Sequence, residues 1–266
     1  MIIKNNKSTI HFKKSKDLNK TPILFLHGFS GSSDSWINVR KNIQFPSIAI
    51  DIPGHGKSYF NNIDESYDYK DFRSELYLIL QQINVKRIHL CGYSMGGRLA
   101  ISFAQKYPEI IESLILESTS LGIVNQEEKE LYLNNDKEKA SDITSSLQSF
   151  INKWQISDIF KHQKERNKEE YLRQNSIRLS HKPEQLSKSL IAFSKGNMPA
   201  YHDAFCLFDF PIYLINGHDD TKYIKFNRDM MKINKTSQQF IINNASHNTH
   251  LENQEMFIKS IIDILS

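Results

Sequence analysis

Gly92-Tyr93-Ser94-Met95-Gly96 constrains this chain more than any other stretch, because it joins two segments of different periodicity around a serine. Ile88-His89-Leu90-Cys91 ahead of it reads as a short buried strand, and Arg98 to Ala104 behind it carries apolar side chains at helical spacing. A strand that turns directly into a helix leaves no room for Cβ atoms beside the joint, hence the glycines. The serine hydroxyl then stands proud of a sheet edge. The helix that follows aims its N–H groups and positive end at any anion forming there.

Other short apolar runs recur, each followed by turn residues: Ile23–Leu26, Ile48–Ile50, Leu114–Leu116, Ile212–Ile215 and Phe240–Ile242. Continuous rather than alternating hydrophobicity predicts parallel strands covered on both faces. Helical stretches lie between them at Tyr69–Gln82, Arg98–Lys106 and Glu255–Leu265, so the fold class expected is α/β, a doubly wound, mostly parallel sheet. Ile2-Ile3 and Thr9–Phe12 can add an antiparallel hairpin at one edge. From Leu121 to Asp209 no buried strand is legible, only charged amphipathic pieces. The expected organisation is therefore a core of residues 1–120 and 210–266 carrying a helical lid at 121–209, inserted between late strands and hanging over the strands' C-terminal ends.

The 266 residues suit one large domain, and a net charge of +4 with interspersed signs does not suggest nucleic acid. A mild positive bias favours an anionic small-molecule substrate. Cys91 and Cys206 offer neither a disulfide framework nor a zinc site. No apolar run approaches the length needed to span a bilayer, and Met1 to Lys7 does not resemble a signal peptide. A cytoplasmic protein, monomeric or weakly self-associating, without membrane insertion, is expected.

A serine needs a histidine to accept its proton and an acid to orient that histidine. The strand Ile212–Ile215 ends in Asn216-Gly217-His218-Asp219-Asp220, and the strand Phe240–Ile242 ends in Asn243-Asn244-Ala245-Ser246-His247. The strand–serine elbow–helix is that of the α/β-hydrolase fold, whose triad runs Ser, acid, His along the chain. Ser94, Asp220 and His247 fit that order, with Asp219 still open as the acid. Backbone N–H groups of Met95 and of Phe29, in the His27-Gly28-Phe29 loop, would form the oxyanion hole. His27 and His55 read as loop architecture. His247, His250 and Glu252 lack a further ligand at metal-binding spacing, so no metal or cofactor is expected.

Phe25-Leu26-His27-Gly28-Phe29-Ser30-Gly31, Asp51-Ile52-Pro53-Gly54-His55-Gly56, Gly96-Gly97-Arg98, Leu116-Glu117-Ser118 and Ala245-Ser246-His247-Asn248-Thr249-His250 together resemble one family: 2-succinyl-6-hydroxy-2,4-cyclohexadiene-1-carboxylate synthase, a lyase of menaquinone biosynthesis. The likeness covers nearly the whole chain. It implies that Ser94 acts as a base rather than an acyl acceptor, and that pyruvate is eliminated from 2-succinyl-5-enolpyruvyl-6-hydroxy-3-cyclohexene-1-carboxylate. It implies substrate contacts from Tyr93, Arg98, Arg178 and the lid aromatics Trp154 and Phe160; lid packing is the competing role for the two aromatics. One departure stands out. The family's early-lid arginine has no counterpart between Leu121 and Glu165, where Lys129 or Lys137 could carry the charge. A serine ester hydrolase working through an acyl-enzyme is the competing function, and the cations around the serine would distinguish the two.

Overall fold

The computed structural model describes residues 1–160 and 162–266. Among these residues nine strands form one sheet: β1 (Ile2–Lys4), β2 (Ser8–Lys14), β3 (Ile23–Leu26), β4 (Ser47–Ile50), β5 (Tyr59–Phe60), β6 (Ile88–Tyr93), β7 (Ile111–Glu117), β8 (Ile212–Gly217) and β9 (Ser237–Ile242). Their order is β1-β2-β4-β3-β6-β7-β8-β9, with β5 added beside β2. From β4 to β9 every pairing is parallel, while β2 runs antiparallel to β1, β4 and β5. The chain lays β4 on one side of β3 and β6 on the other. That reversal opens a crevice at the carboxyl ends of β3 and β6, where sheets of this kind bind ligands.

The uninterrupted apolar runs have a direct cause. β3 sends Leu24 and Leu26 into one core and Ile23 and Phe25 into the other. β7 does the same with Leu114 and Leu116 against Ile115. Both faces are dry along these stretches, so the apolar run is continuous, and a polar side chain such as Glu117 at the end of β7 is buried only with hydrogen-bond partners. β9 begins three residues earlier than its apolar signal, at Ser237 rather than Phe240. It is the sheet's last strand, and an open edge lets Gln238 and Gln239 pair through the backbone with their side chains near solvent.

Among the described residues, twelve α-helices accompany the sheet: α1 (Ile37–Asn42), α2 (Tyr69–Gln82), α3 (Met95–Lys106), α4 (Gln126–Ser145), α5 (Leu147–Trp154), α6 (Gln163–Arg166), α7 (Lys168–Leu179), α8 (Pro183–Ala192), α9 (His202–Cys206), α10 (Thr221–Ile233), α11 (Thr249–Glu252) and α12 (Gln254–Leu265). α2 starts where Asp68 accepts from the N–H groups of Lys70 and Asp71, and it buries Phe72, Leu76, Ile79 and Leu80 on one stripe. None of the described helices is long and apolar enough to cross a membrane.

Helices α4 to α9 fill the interval between β7 and β8, with no strand among the described residues. Part of this insertion has its own apolar cluster, including Ile143, Phe150, Ile151 and Leu186. Its last third behaves differently: Phe193, Met198, Tyr201, Phe205 and Phe208 pack into the sheet's core. The insertion is thus anchored at its C-terminal end and spans the crevice with the rest.

Candidate active site

Ser94 occupies the joint between β6 and α3 at φ 50°, a left-handed conformation that a side-chain-bearing residue rarely adopts. Its neighbours hold it there. The Ser94 N–H donates to the Glu117 carbonyl at 2.9 Å, and Thr119 Oγ1 donates to the Ser94 carbonyl at 2.8 Å. A Cβ on Gly92 would lie 2.5 Å from the Gly96 carbonyl oxygen, and one on Gly96 would lie 2.4 Å from that of Leu26. The glycines are therefore steric requirements of the elbow.

His247 Nε2 lies 3.1 Å from Ser94 Oγ, and His247 Nδ1 lies 3.0 Å from Asp220 Oδ2. With the Nδ1 proton donated to Asp220, Nε2 is left to accept the serine proton. The histidine and its acid are buried, while Ser94 is partly open to the cavity. Asp219 takes another course. It is half-exposed and pairs with Arg166 and His218, whose hydrogen bond holds the carboxyl below its usual range.

Two residues of the serine's cavity carry backbone N–H groups with no acceptor among the described residues. Met95 is the first residue of α3, so its N–H has no intrahelical acceptor. The Phe29 N–H, in the turn after β3, finds none among the described residues. Both residues line the cavity that holds Ser94. His27 fixes this turn: Nδ1 donates to the Gly28 carbonyl at 2.7 Å, and Nε2 accepts from the Ile52 N–H at 3.0 Å. His55 Nε2 accepts from the Ser30 N–H, and its ring meets His27 and His181 edge-on.

The histidine loop is tied down by acids that sequence reasoning left without a role. Glu117, at the end of β7, accepts from Thr249 Oγ1 at 2.6 Å, the His250 N–H at 3.0 Å and His250 Nδ1 at 2.7 Å. His250 also stacks on Trp36, with ring centroids 4.0 Å apart. Glu252 accepts the Ser246 N–H and pairs with Arg166. Burial nevertheless pushes its carboxyl up. Arg166, in α6, thus links the insertion to the loop carrying His247.

Ser94 opens into a cavity of about 100 Å³. Tyr93, Phe29, Trp154 and Phe160 contribute to its aromatic wall, with Tyr132, Phe193 and Tyr223. Phe160 stands 5.9 Å from the His247 ring and 5.6 Å from Trp154, centroid to centroid. Arg98 lines the same cavity one helical turn beyond the serine, donating to the Phe193 carbonyl at 3.3 Å with its Nε unpartnered. Arg178 is placed elsewhere. It is buried behind Phe160, 5.3 Å from that ring, and faces a smaller adjoining cavity with Tyr93 and Gln174. Burial lowers its guanidinium to about 10. Lys129 and Lys137 do not reach the Ser94 cavity; Lys139 and Lys195 do. Sequence reasoning missed Lys195 because the Ser194-Lys195-Gly196 turn carries no motif or periodicity.

The alpha/beta hydrolase fold family matches residues 21–254. A Bacillus subtilis protein provisionally named 2-succinyl-6-hydroxy-2,4-cyclohexadiene-1-carboxylate synthase is 31% identical over 246 residues, covering 92% of this chain and 90% of that one. An Enterobacter protein of the same name, given without qualification, is 27% identical over 245 residues, covering 91% of each. The solved structure of MenH from S. aureus superposes with a TM-score of 0.89 at 28% identity, over 96% of this chain and 97% of the other.

Proposed function

This chain belongs to the alpha/beta hydrolase fold family and, within it, to the 2-succinyl-6-hydroxy-2,4-cyclohexadiene-1-carboxylate synthases, and from that premise we propose that it eliminates pyruvate from 2-succinyl-5-enolpyruvyl-6-hydroxy-3-cyclohexene-1-carboxylate in menaquinone biosynthesis. Ser94 Oγ takes the ring proton beside the succinyl ketone as its own proton passes to His247 Nε2. Asp220 holds the imidazole and stabilises the imidazolium. The ring double bond shifts, the bond to the enolpyruvyl oxygen breaks, and the departing enolpyruvate collects a proton and becomes pyruvate. Phe29 and Met95 N–H groups stabilise charge developing on the ketone oxygen.

The triad serves an acyl-enzyme equally well, since one fold carries both chemistries. The observation that favours the lyase is Arg98: a buried guanidinium in the serine's own cavity, with no carboxylate partner among the described residues. A neutral ester offers it nothing, whereas a substrate with several carboxylates does. The Tyr93, Trp154 and Phe160 rings fit the carbocycle, and Arg178 meets a carboxylate if Phe160 swings aside. A cavity of about 100 Å³ is below the roughly 300 Å³ usual for ligand pockets, so substrate enters by displacing the insertion.

The test is pyruvate release from substrate generated in situ, for the wild type, Ser94→Ala and Arg98→Ala, beside a panel of nitrophenyl esters. Release lost with Ser94→Ala and strongly weakened with Arg98→Ala is the expected result. Ester turnover without pyruvate above the spontaneous rate would transfer the site to the hydrolase reading.

A further inference from the structure

Lys195 sits in the turn after α8, only 8% exposed, and its side chain lines the cavity of Ser94. The turn is pressed onto the insertion's first helix: a Cβ on Gly196 would lie 2.5 Å from the Lys129 carbonyl oxygen. The ammonium lies 5.4 Å from the Tyr132 ring and 5.7 Å from the Tyr223 ring. Its one hydrogen-bonding neighbour among the described residues is Tyr223 Oη, at 3.5 Å. Such a contact is at the limit of a hydrogen bond, so most of the ammonium's donor capacity is unused.

The acid beside it is already engaged. Asp136 accepts from Lys139 Nζ at 3.0 Å through one oxygen and from Ser194 Oγ at 2.8 Å through the other. Among the described residues lining the cavity, Arg98, Lys139 and Lys195 therefore meet one carboxylate, that of Asp136. A buried cation without a counter-ion is costly unless something charged completes it. We propose that Lys195 is a second cationic ligand of this cavity, closing with Arg98 on a carboxylate of the substrate and setting preference for anionic over neutral ligands. This rests on the reading of the Ser94 cavity as the active site.

The charge on Lys195 is itself conditional. Burial, with Arg98 and Lys222 nearby, lowers the amine to about 7, against a weaker opposing pull from Asp136 and Glu128. Tyr132, Tyr223 and Lys139 complete the polar groups facing it; burial holds the Tyr223 phenol above its usual range and therefore neutral. A carboxylate between Lys195 and Arg98 favours the protonated amine, so binding draws a proton from solvent near neutral pH.

The probe is 4-oxo-4-phenylbutanoate, a ketone with one carboxylate arm, compared with its methyl ester by calorimetry at pH 6 and 8.5 in buffers of different ionisation enthalpy. The wild type is expected to bind the acid about tenfold more tightly at pH 6, with proton uptake near pH 7, and to bind the ester equally at both. In Lys195→Met, acid binding falls about tenfold or more at pH 6 and its pH dependence vanishes, with ester binding unchanged. Lys195→Arg, charged throughout, keeps acid binding at both pH values. Wild-type acid binding by Lys195→Met, or equal loss of acid and ester binding in both variants, would overturn the proposal. Absence of pyruvate release by the wild type would remove the lyase reading and leave these binding results standing. Pyruvate release with an unchanged KM in Lys195→Met would do the reverse.

Discussion

Glu117 Oε2 lies 2.7 Å from His250 Nδ1, and neither side chain is more than 1% exposed. Glu117 ends the strand beside the one that delivers Ser94, and His250, in α11, lies three residues after His247. Through this pair the sheet fixes the position of the loop that carries His247. Glu117→Ala leaves buried donors from Thr249 and His250 without an acceptor. A loss of about 3 kcal/mol or more is expected, read as a fall in the urea midpoint at unchanged slope. An unchanged midpoint would mean that the loop is held by other contacts.

The two adjacent acids differ in partner, and their asparagine variants should differ accordingly. Asp220→Asn removes the acceptor for His247 Nδ1–H and lowers kcat by roughly a thousandfold with little change in folding stability. Asp219→Asn weakens an exposed pair with Arg166, worth up to about 1 kcal/mol, and changes kcat by less than about threefold. Equal losses would sink the assignment of Asp220.

Gly96→Ala forces a methyl group against backbone, with the Leu26 and His27 carbonyl oxygens 2.4 and 2.5 Å from the new Cβ. Backbone at the end of β3 cannot retreat without displacing the Phe29 turn. The variant should lose about 3 kcal/mol and most activity together, measured by thermal unfolding and turnover. A stable but inactive Gly96→Ala would separate the oxyanion geometry from the fold.

Acid should unfold this protein through its buried histidines. Burial depresses His27 to about 4 and lowers His55 and His181 as well. In the unfolded chain these rings protonate near 6.5, so the unfolded state binds more protons below that pH. The stabilisation is complete above about 6.5 and is lost as pH falls towards 4, with His27 alone contributing about 3 kcal/mol. Urea midpoints at pH 7 and pH 5 check the sign; equal midpoints would contradict it.

Arg166 ties α6 to Glu252 and Asp219, one of the contacts that reach from the insertion to the histidine loop, beside the Asn167 side chain donating to the Leu251 carbonyl. Arg166→Ala should accelerate amide exchange through α6 and α7 and lower kcat/KM several-fold, while exchange in β6 and β7 stays slow. Unaltered exchange in the insertion would remove Arg166 as its fastener.

The strands were legible because both faces of the sheet are dry, so β3, β7 and β8 read as continuous apolar runs. The edge strand β9 reads short in the sequence because Gln238 and Gln239 lie near solvent there at no cost. The insertion's helices were visible as a loss of strand rhythm, but not the return of Phe193 to Phe208 into the sheet's core, because an apolar side chain does not announce which core it joins. Arg178 and Lys195 illustrate the same limit. The arginine stood in a recognisable setting yet lies behind Phe160, and the lysine stood in none yet faces the cavity.

By itself the sequence determined the elbow around Ser94, the parallel sheet and the order of serine, acid and histidine. These are local properties, governed by turn sterics and by periodic burial within a few residues. Only the tertiary structure decided that Asp220 rather than Asp219 meets His247, that Glu117 anchors the histidine loop, and that Arg98 and Lys195 share one cavity. Those relations depend on distance and desolvation between segments remote along the chain. Charge acts through space, and only folding sets that space.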